Sequence, residues 1–485
     1  MARSILAVAM LVGFFVLVLG LTVGLGAVAV GAVGTGNFSY WAIKGGLIAG
    51  AVALAVTGAV FKALRTRVEP EGVPLTRADQ PELWRVVDEL AEAVGTRAPD
   101  DIRLVAGVKA AVREEAGLLG LRPGPRHLVL GLPLLAGLTA GELRSVLAHE
   151  LGHFGGGHTR LSALTYRAKV ALERTVDGLA GSIVQEPLAY YARVYAWVAA
   201  SANRRRELAA DAASVAAAGR ETAQSALRKA LPLAAAWNTY LDDYVSLASA
   251  AGRTPLLLAG FRSLLADPER QEQLADATDR LLDEQPASVF DNHPPVRERI
   301  AAMEALPSPV VPVADQPASA LVSRLEELAG GLVADGWGPV ADWPEIVRLA
   351  GAAHVAHEAG LLVGAGRASR VAPEGTLDAL LTGLERGGVR RIAKHLLDED
   401  VPAEEYDEVV VELVTRLLGA VLLDELVRAG RVEFRLDWGG PCQVVLADGT
   451  TVDAPEVVAP AVRDPANVPL VRERVSALCD RALTR

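Results

Sequence analysis

From Ile5 to Ile43 no ionisable side chain interrupts the sequence, and Ile5 to Val33 is almost wholly apolar. A helix needs about 20 such residues to cross the hydrocarbon core of a bilayer, so this run predicts one membrane span. Thr35-Gly-Asn-Phe-Ser-Tyr-Trp41 breaks the pattern with turn formers and interfacial aromatics. A second apolar run follows from Gly45 to Phe61, between Lys44 and Lys62. It is short, but flanking lysines lengthen its reach by extending their ammonium groups to the headgroups. A cleaved signal peptide also begins with a charged residue and an apolar run. The run here is long for a signal core, however, and a second one follows it. Arg3 precedes the first run; Lys62, Arg65 and Arg67 follow the second; Lys44 alone lies between. That imbalance predicts a multi-pass hairpin in the plasma membrane with both ends in the cytoplasm.

Past residue 67 the apolar runs give way to shorter periodic segments. Val68–Leu306 is expected to form a mainly helical domain with short strands at Asp101–Val105, Lys109–Arg113 and Arg126–Leu130, joined by Gly-rich turns. Pro307, Pro309, Pro312 and Pro317 mark a linker over residues 307–318. From Ser319 to Arg485 helical runs alternate with one hairpin signal. Its strands are Val432–Asp437 and Gln443–Ala447, with Asp448-Gly449 turning into Thr451–Asp453. The fold class is thus mainly α (α+β). A transmembrane helical hairpin (residues 1–67) precedes a helical domain with a small β-sheet (68–306), the linker, and a C-terminal α+β domain (319–485).

Composition narrows the partners. The 485 residues exceed one ordinary core, in keeping with two or three domains. The net charge is −11 and no basic stripe appears, so nucleic acid is not an expected partner. The two cysteines, Cys442 and Cys479, form neither a disulfide framework nor a metal-type pair. Any metal must therefore be held by nitrogen and oxygen.

The chemistry-bearing signal is His149-Glu150-Leu151-Gly152-His153, an H-E-x-x-H pattern. On a helix, residues four apart share a face, so both imidazoles can point at one metal while Glu150 sits one step round as the catalytic base. Local signals support the helix: Thr139 and Glu142 make a capping box, and Leu143, Val146, Leu147 and Leu151 form an apolar face. Gly155-Gly156-Gly157 is expected to end it. The plain alternative is a helix that carries two solvated histidines.

A catalytic zinc takes three protein ligands and keeps a fourth position open. Glu207, in Arg204-Arg-Arg-Glu-Leu-Ala-Ala-Asp211 on a second predicted helix, is one candidate for the third ligand. Asp211, four residues on, would then orient a ligand histidine through its other ring nitrogen. His158 and His293 are the alternatives. A metzincin would need a histidine at position 159, where Thr159 stands. His354, His357 and Glu358 give H-x-x-H-E rather than the inverted zincin order, and are expected to be an ordinary helix face.

The order of these motifs resembles the membrane zinc metallopeptidases that include the bacterial heat-shock protease HtpX and the eukaryotic CAAX prenyl endopeptidase. Leu147-Ala-His-Glu-Leu-Gly-His153, Arg206-Glu-Leu-Ala-Ala-Asp211 and Asn292-His-Pro-Pro-Val-Arg-Glu-Arg299 carry the likeness. Pro81-Glu-Leu-Trp84 and Leu130-Gly-Leu-Pro-Leu-Leu135 extend it. The resemblance implies a gluzincin-type zinc peptidase domain with one zinc per chain on His149, His153 and Glu207. It also implies that His293 and Arg299 stabilise the transition state. An edge strand that takes up substrate backbone would correspond to Lys109–Arg113, centred on Ala110, Ala111 and Val112.

Two features depart from that family. Between the first two motifs lie Arg167, Lys169, Glu173, Arg174, Asp177, Glu186 and Arg193, which leave no clean further span. The predicted spans are also too few for the membrane cage of the CAAX enzyme. The expected activity is cleavage of membrane-associated or misfolded proteins at the cytoplasmic face, with protein or peptide substrates and the lipid bilayer as partners. A regulatory protease with a single signalling partner and an inactive membrane scaffold are the alternatives. A scaffold has no need to keep Glu150.

Overall fold

The computed structural model describes residues 71–117, 122–155, 185–283, 294–311, 316–333, 337–397, 404–440 and 442–481, with isolated positions elsewhere. The predicted membrane hairpin, His158 and His293 lie outside these residues. The fold is mainly helical with small sheets, as the pattern predicts. The described chain gathers into two compact units, 1–237 with 273–332 and 238–272 with 333–485.

The first unit begins with a four-stranded mixed sheet in the order β1-β2-β4-β3. Its strands are β1 (Val73–Pro74), β2 (Asp101–Val105), β3 (Ala110–Gly117) and β4 (Arg122–Gly131). β2 and β4 run parallel, whereas β1 and β3 run antiparallel to their neighbours. β2 has the predicted bounds. β3 and β4 outrun theirs because pairing continues past Arg113 through a register shift at Glu114/Ala116. Such a shift inserts a residue into one strand without ending the ladder.

Helix α1 (Pro81–Val94) starts at a proline, whose fixed φ suits a first turn, and ends at Gly95 in the left-handed region. Its apolar stripe Leu83, Val87, Leu90 and Ala91 is buried, and α1 packs on helix α2 (Ala140–Gly152). Within the same unit, α2 packs on the 34-residue helix α3 (Gln185–Ala218) and touches β3.

Several bonds hold the start of α2. Thr139 accepts from the Glu142 backbone N–H at 3.2 Å, and the Glu142 carboxylate accepts from the Thr139 N–H at 2.9 Å, closing the predicted capping box. The same carboxylate accepts from Ser225 Oγ at 2.6 Å and pairs with Lys229 Nζ at 2.7 Å, both on helix α4 (Arg220–Thr239). The Pro-rich segment returns here too. Ala140 N–H donates to Gln316 O at 2.7 Å and Ala318 N–H to Leu138 O at 2.9 Å, so Pro317 lies opposite Thr139. α2 ends at Gly152, before the expected glycine triplet, although His153 keeps helical dihedrals as its C-cap. The N–H groups of Phe154 and Gly155 bond back only three residues, to Leu151 and Gly152, so the helix tightens as it ends.

The second unit has its own apolar core, contributed by helices α6 (Trp343–Ala368), α7 (Tyr406–Arg428) and α8 (Ala454–Arg463) among others. The expected hairpin forms as β5 (Val432–Arg435) against β6 (Gln443–Leu446), with Val445 bridging Thr451 beyond the Asp448-Gly449 turn. α6 is the one helix among the described residues long and apolar enough to cross a membrane. Val347, Val355, Ala359, Leu362 and Ala365 on this helix are buried in the core of the unit. In the same unit Phe261, Trp343 and Trp438 pack at tilted angles against Tyr240, and a Cβ placed on the nearby Gly260 would come within 2.1 Å of Trp343 Nε1. Both cysteines are free, as expected.

Replacing Thr139 with Ala should lower unfolding stability by ~1 kcal/mol through the lost cap. Glu142→Gln should cost more, because Lys229 loses its counter-charge. Burial opposes ionisation of Glu142, but Lys229, Ser225 and the Thr139 N–H together hold its pKa below the ordinary value. Its contribution is therefore complete above the unfolded-state pKa of ~4.3 and vanishes as pH falls through the lower folded value. Urea titrations of wild type and Glu142→Gln should differ at pH 7 and converge below about pH 4.

Candidate active site

Helical spacing puts His149 and His153 on one face of α2, with ring centroids 4.7 Å apart at 80°. His149 is 7% exposed, while Glu150 and His153 are half-buried. One ligand atom from each of the three residues falls within 4.8 Å of the others, a group able to hold a metal ion.

The long helix α3 supplies the next groups because it runs alongside α2. His149 Nε2 lies 3.6 Å from Glu207 Oε2, and His153 Nε2 lies 3.6 Å from Glu207 Oε1. Two ligands of a tetrahedral zinc at about 2.1 Å stand about 3.4 Å apart, so these gaps match what one ion would span. Two imidazoles and a carboxylate are also a donor set that suits zinc. The residues present therefore fit the metal that the motif implies.

Asp211, one turn after Glu207, is fully buried. Its Oδ1 lies 3.0 Å from His149 Nδ1, which leaves Nε2 facing Glu207. Arg299, on the short helix α5 (Val296–Glu304), clamps the same carboxylate with Nε at 3.0 Å from Oδ2 and Nη2 at 2.5 Å from Oδ1. That Nη2 also lies 3.2 Å from Nδ1 and 3.4 Å from Nε2 of His149. Arg299, 7% exposed, therefore meets both Asp211 and the two ring nitrogens of His149.

Burial disfavours a charged His149, but the hydrogen bonds with Asp211 and Glu207 outweigh it and raise the pKa to about 9. Burial likewise opposes the Asp211 charge, yet bonds from His149 and Arg299 keep its pKa below the ordinary carboxylate value. The carboxylates thus draw positive charge to this pocket, as a divalent cation requires.

Of the residues singled out from sequence, the structure brings together His149, Glu150, His153, Glu207, Asp211 and Arg299. Ala110, Ala111 and Val112 lie on β3 at the sheet edge, paired on one side to Leu130, Val129 and Leu128 of β4. The other two third-ligand candidates fall outside the described residues. His354, His357 and Glu358 form a helix face, with the Glu358 carboxylate 2.7 Å from Arg416 and 3.6 Å from His354. Sequence reasoning missed Ser145 and Ser214, whose buried hydroxyls meet at 2.6 Å between α2 and α3. Their only sequence signal is position: Ser145 precedes His149 by four residues and Ser214 follows Asp211 by three.

Residues 77–306, just under half of the chain, match the family model described as Peptidase family M48. No curated protein and no solved structure matches the chain. The matched stretch takes in both carboxylate positions on α3 and ends two residues beyond α5. That stretch is similar to peptidase family M48, the family of HtpX and the CAAX prenyl endopeptidase, and the match supports a metallopeptidase domain over residues 77–306.

Proposed function

We propose that this chain is a membrane-anchored zinc endopeptidase of the gluzincin, HtpX-like type that cleaves membrane-associated or misfolded proteins at the cytoplasmic face. One observation carries the reading: the two Nε2 atoms of the motif histidines each face one oxygen of Glu207 at 3.6 Å, with the buried Asp211 behind His149. His149, His153 and Glu207 would hold the ion, and Asp211 would fix the ring of His149 through its Nδ1–H. Once bound, zinc supplies Lewis-acid polarisation of the scissile carbonyl and makes a water molecule acidic near neutral pH.

The remaining work falls to side chains. Glu150 takes the proton of the attacking water and passes it to the leaving amine. Ala110, Ala111 and Val112 are suited to seat the substrate, because β3 is an edge strand that touches α2. Main-chain N–H and C=O groups on such an edge can pair with an extended peptide. His293 is proposed as a donor to the developing oxyanion. Arg299 is instead assigned to positioning, since its guanidinium is engaged by Asp211.

Glu150→Gln should retain about one zinc per chain by metal analysis and lose casein cleavage, whereas His153→Ala should lose both. A metal-free Glu150→Gln would defeat this division of roles.

Arg299→Ala and His293→Ala should separate. Without Arg299, Asp211 keeps its charge with one partner fewer; loss of a buried pair costs about 3–5 kcal/mol, so the variant should melt early and bind zinc weakly. His293→Ala should melt normally, keep zinc and lose kcat with KM little changed, as a transition-state donor would. Normal turnover by His293→Ala would remove it from the mechanism.

For topology, a reporter fused after Arg485 should be active on the cytoplasmic side. Cys442 and Cys479 should resist an impermeant thiol reagent applied to intact cells, and labelling from outside would reverse the orientation.

A further inference from the structure

Helices α2 and α3 meet through small side chains beside the candidate ligands. A Cβ placed on Gly152 would lie 3.1 Å from Ala210 Cα and 3.1 Å from Ala213 Cβ. Carbon atoms in contact prefer about 3.5–4.0 Å, so a methyl at this position requires its neighbours to give by a few tenths of an ångström. Ala210 presents its Cα here, which cannot swing aside as a side-chain tip can. Helix propensity does not call for the glycine, since Ala is better inside a helix by about 0.5–1 kcal/mol.

Nearer the start of α2, Ser214 Oγ donates to Ser145 O at 3.1 Å, which leaves Ser145 as donor in the 2.6 Å hydroxyl pair. That pair resists sliding of one helix along the other. Gly152 governs how closely they approach. Its chain neighbour is His153, and Ala210 lies between Glu207 and Asp211 and adjoins the latter.

We propose that Gly152 is a positioning residue: its missing side chain sets the distance between the motif histidines on α2 and Glu207 on α3, and so the fit of the site to its metal. The inference rests on the zinc reading above. Magnitudes decide why so small a change matters. A metal site tolerates ligand distances within about 0.2 Å of their ideal values. The few tenths of an ångström that one methyl requires are enough to use up that tolerance.

The test compares wild type, Gly152→Ala and the double variant Gly152→Ala/Ala213→Gly, which removes the opposing methyl. Zinc affinity is read by chelator competition and folding by melting of the metal-free protein. Gly152→Ala should keep its metal-free melting temperature within a few degrees and bind zinc about 10–100-fold more weakly, the range seen when groups that orient ligands are lost. The double variant should recover part of that loss, because one of the two 3.1 Å contacts is gone while that with Ala210 Cα remains; general destabilisation would not produce a recovery, because Ala213→Gly puts a helix-weakening glycine into α3. A folded Gly152→Ala with wild-type affinity overturns the proposal. So does a folded double variant no better than the single one, and this comparison remains decisive if Gly152→Ala alone fails to fold. Wild-type protein that takes up no zinc would instead remove the metal reading itself.

Discussion

The buried carboxylate of Asp211 is the point at which three helices of the peptidase unit are tied together. It sits on α3, accepts from the motif histidine on α2 and holds the guanidinium of Arg299 on α5. A carboxylate with no solvent contact is strongly unfavourable alone, so each partner is obligatory rather than optional. The arrangement also explains the proximity of Arg299 to His149. A lone cation at 3.2 Å from the ring would oppose both protonation and metal binding, and Asp211 offsets that charge where it arises.

Close helix packing and polar bonding are complementary here. Ala148, Ala210 and Gly152 let α2 and α3 approach, while the Ser145–Ser214 pair and the carboxylate network limit their relative motion. At the other end of α2, Glu142 is held by Thr139, Ser225 and Lys229. The helix is therefore restrained at both ends, which a site built on one buried and one half-buried imidazole needs if its atoms are to stay within tenths of an ångström.

Much of this was legible in the sequence where the signal is local. The capping box, the i, i+4 histidines, the Glu207–Asp211 pair and strand β2 all follow from spacing within one element. What was not legible depends on contacts distant along the chain. The helix tightens to an end at Gly152, ahead of the glycine triplet. Arg299 was expected to stabilise the transition state; its contact with Asp211, 88 residues away, is nowhere in the local pattern. Residues 238–272 group with the C-terminal unit, and nothing in their local pattern says so. The proline cluster was read as a linker, yet its last members pair with the start of α2, because an extended segment with free backbone groups will pair where an edge is offered.

That return has a consequence for how the protein is made. Thr139 faces Pro317 and His149 faces Arg299. During synthesis, the start of α2 therefore lacks its pairing with the segment around Pro317, and Asp211 lacks a guanidinium that lies 88 residues further on, until those segments have left the ribosome. Local helix formation around the motif can come early, but closing these long loops comes late, since their entropy is recovered only when the distant partners arrive. A nascent chain thus carries its H-E-x-x-H motif for much of its synthesis without the contacts that hold the candidate site in place.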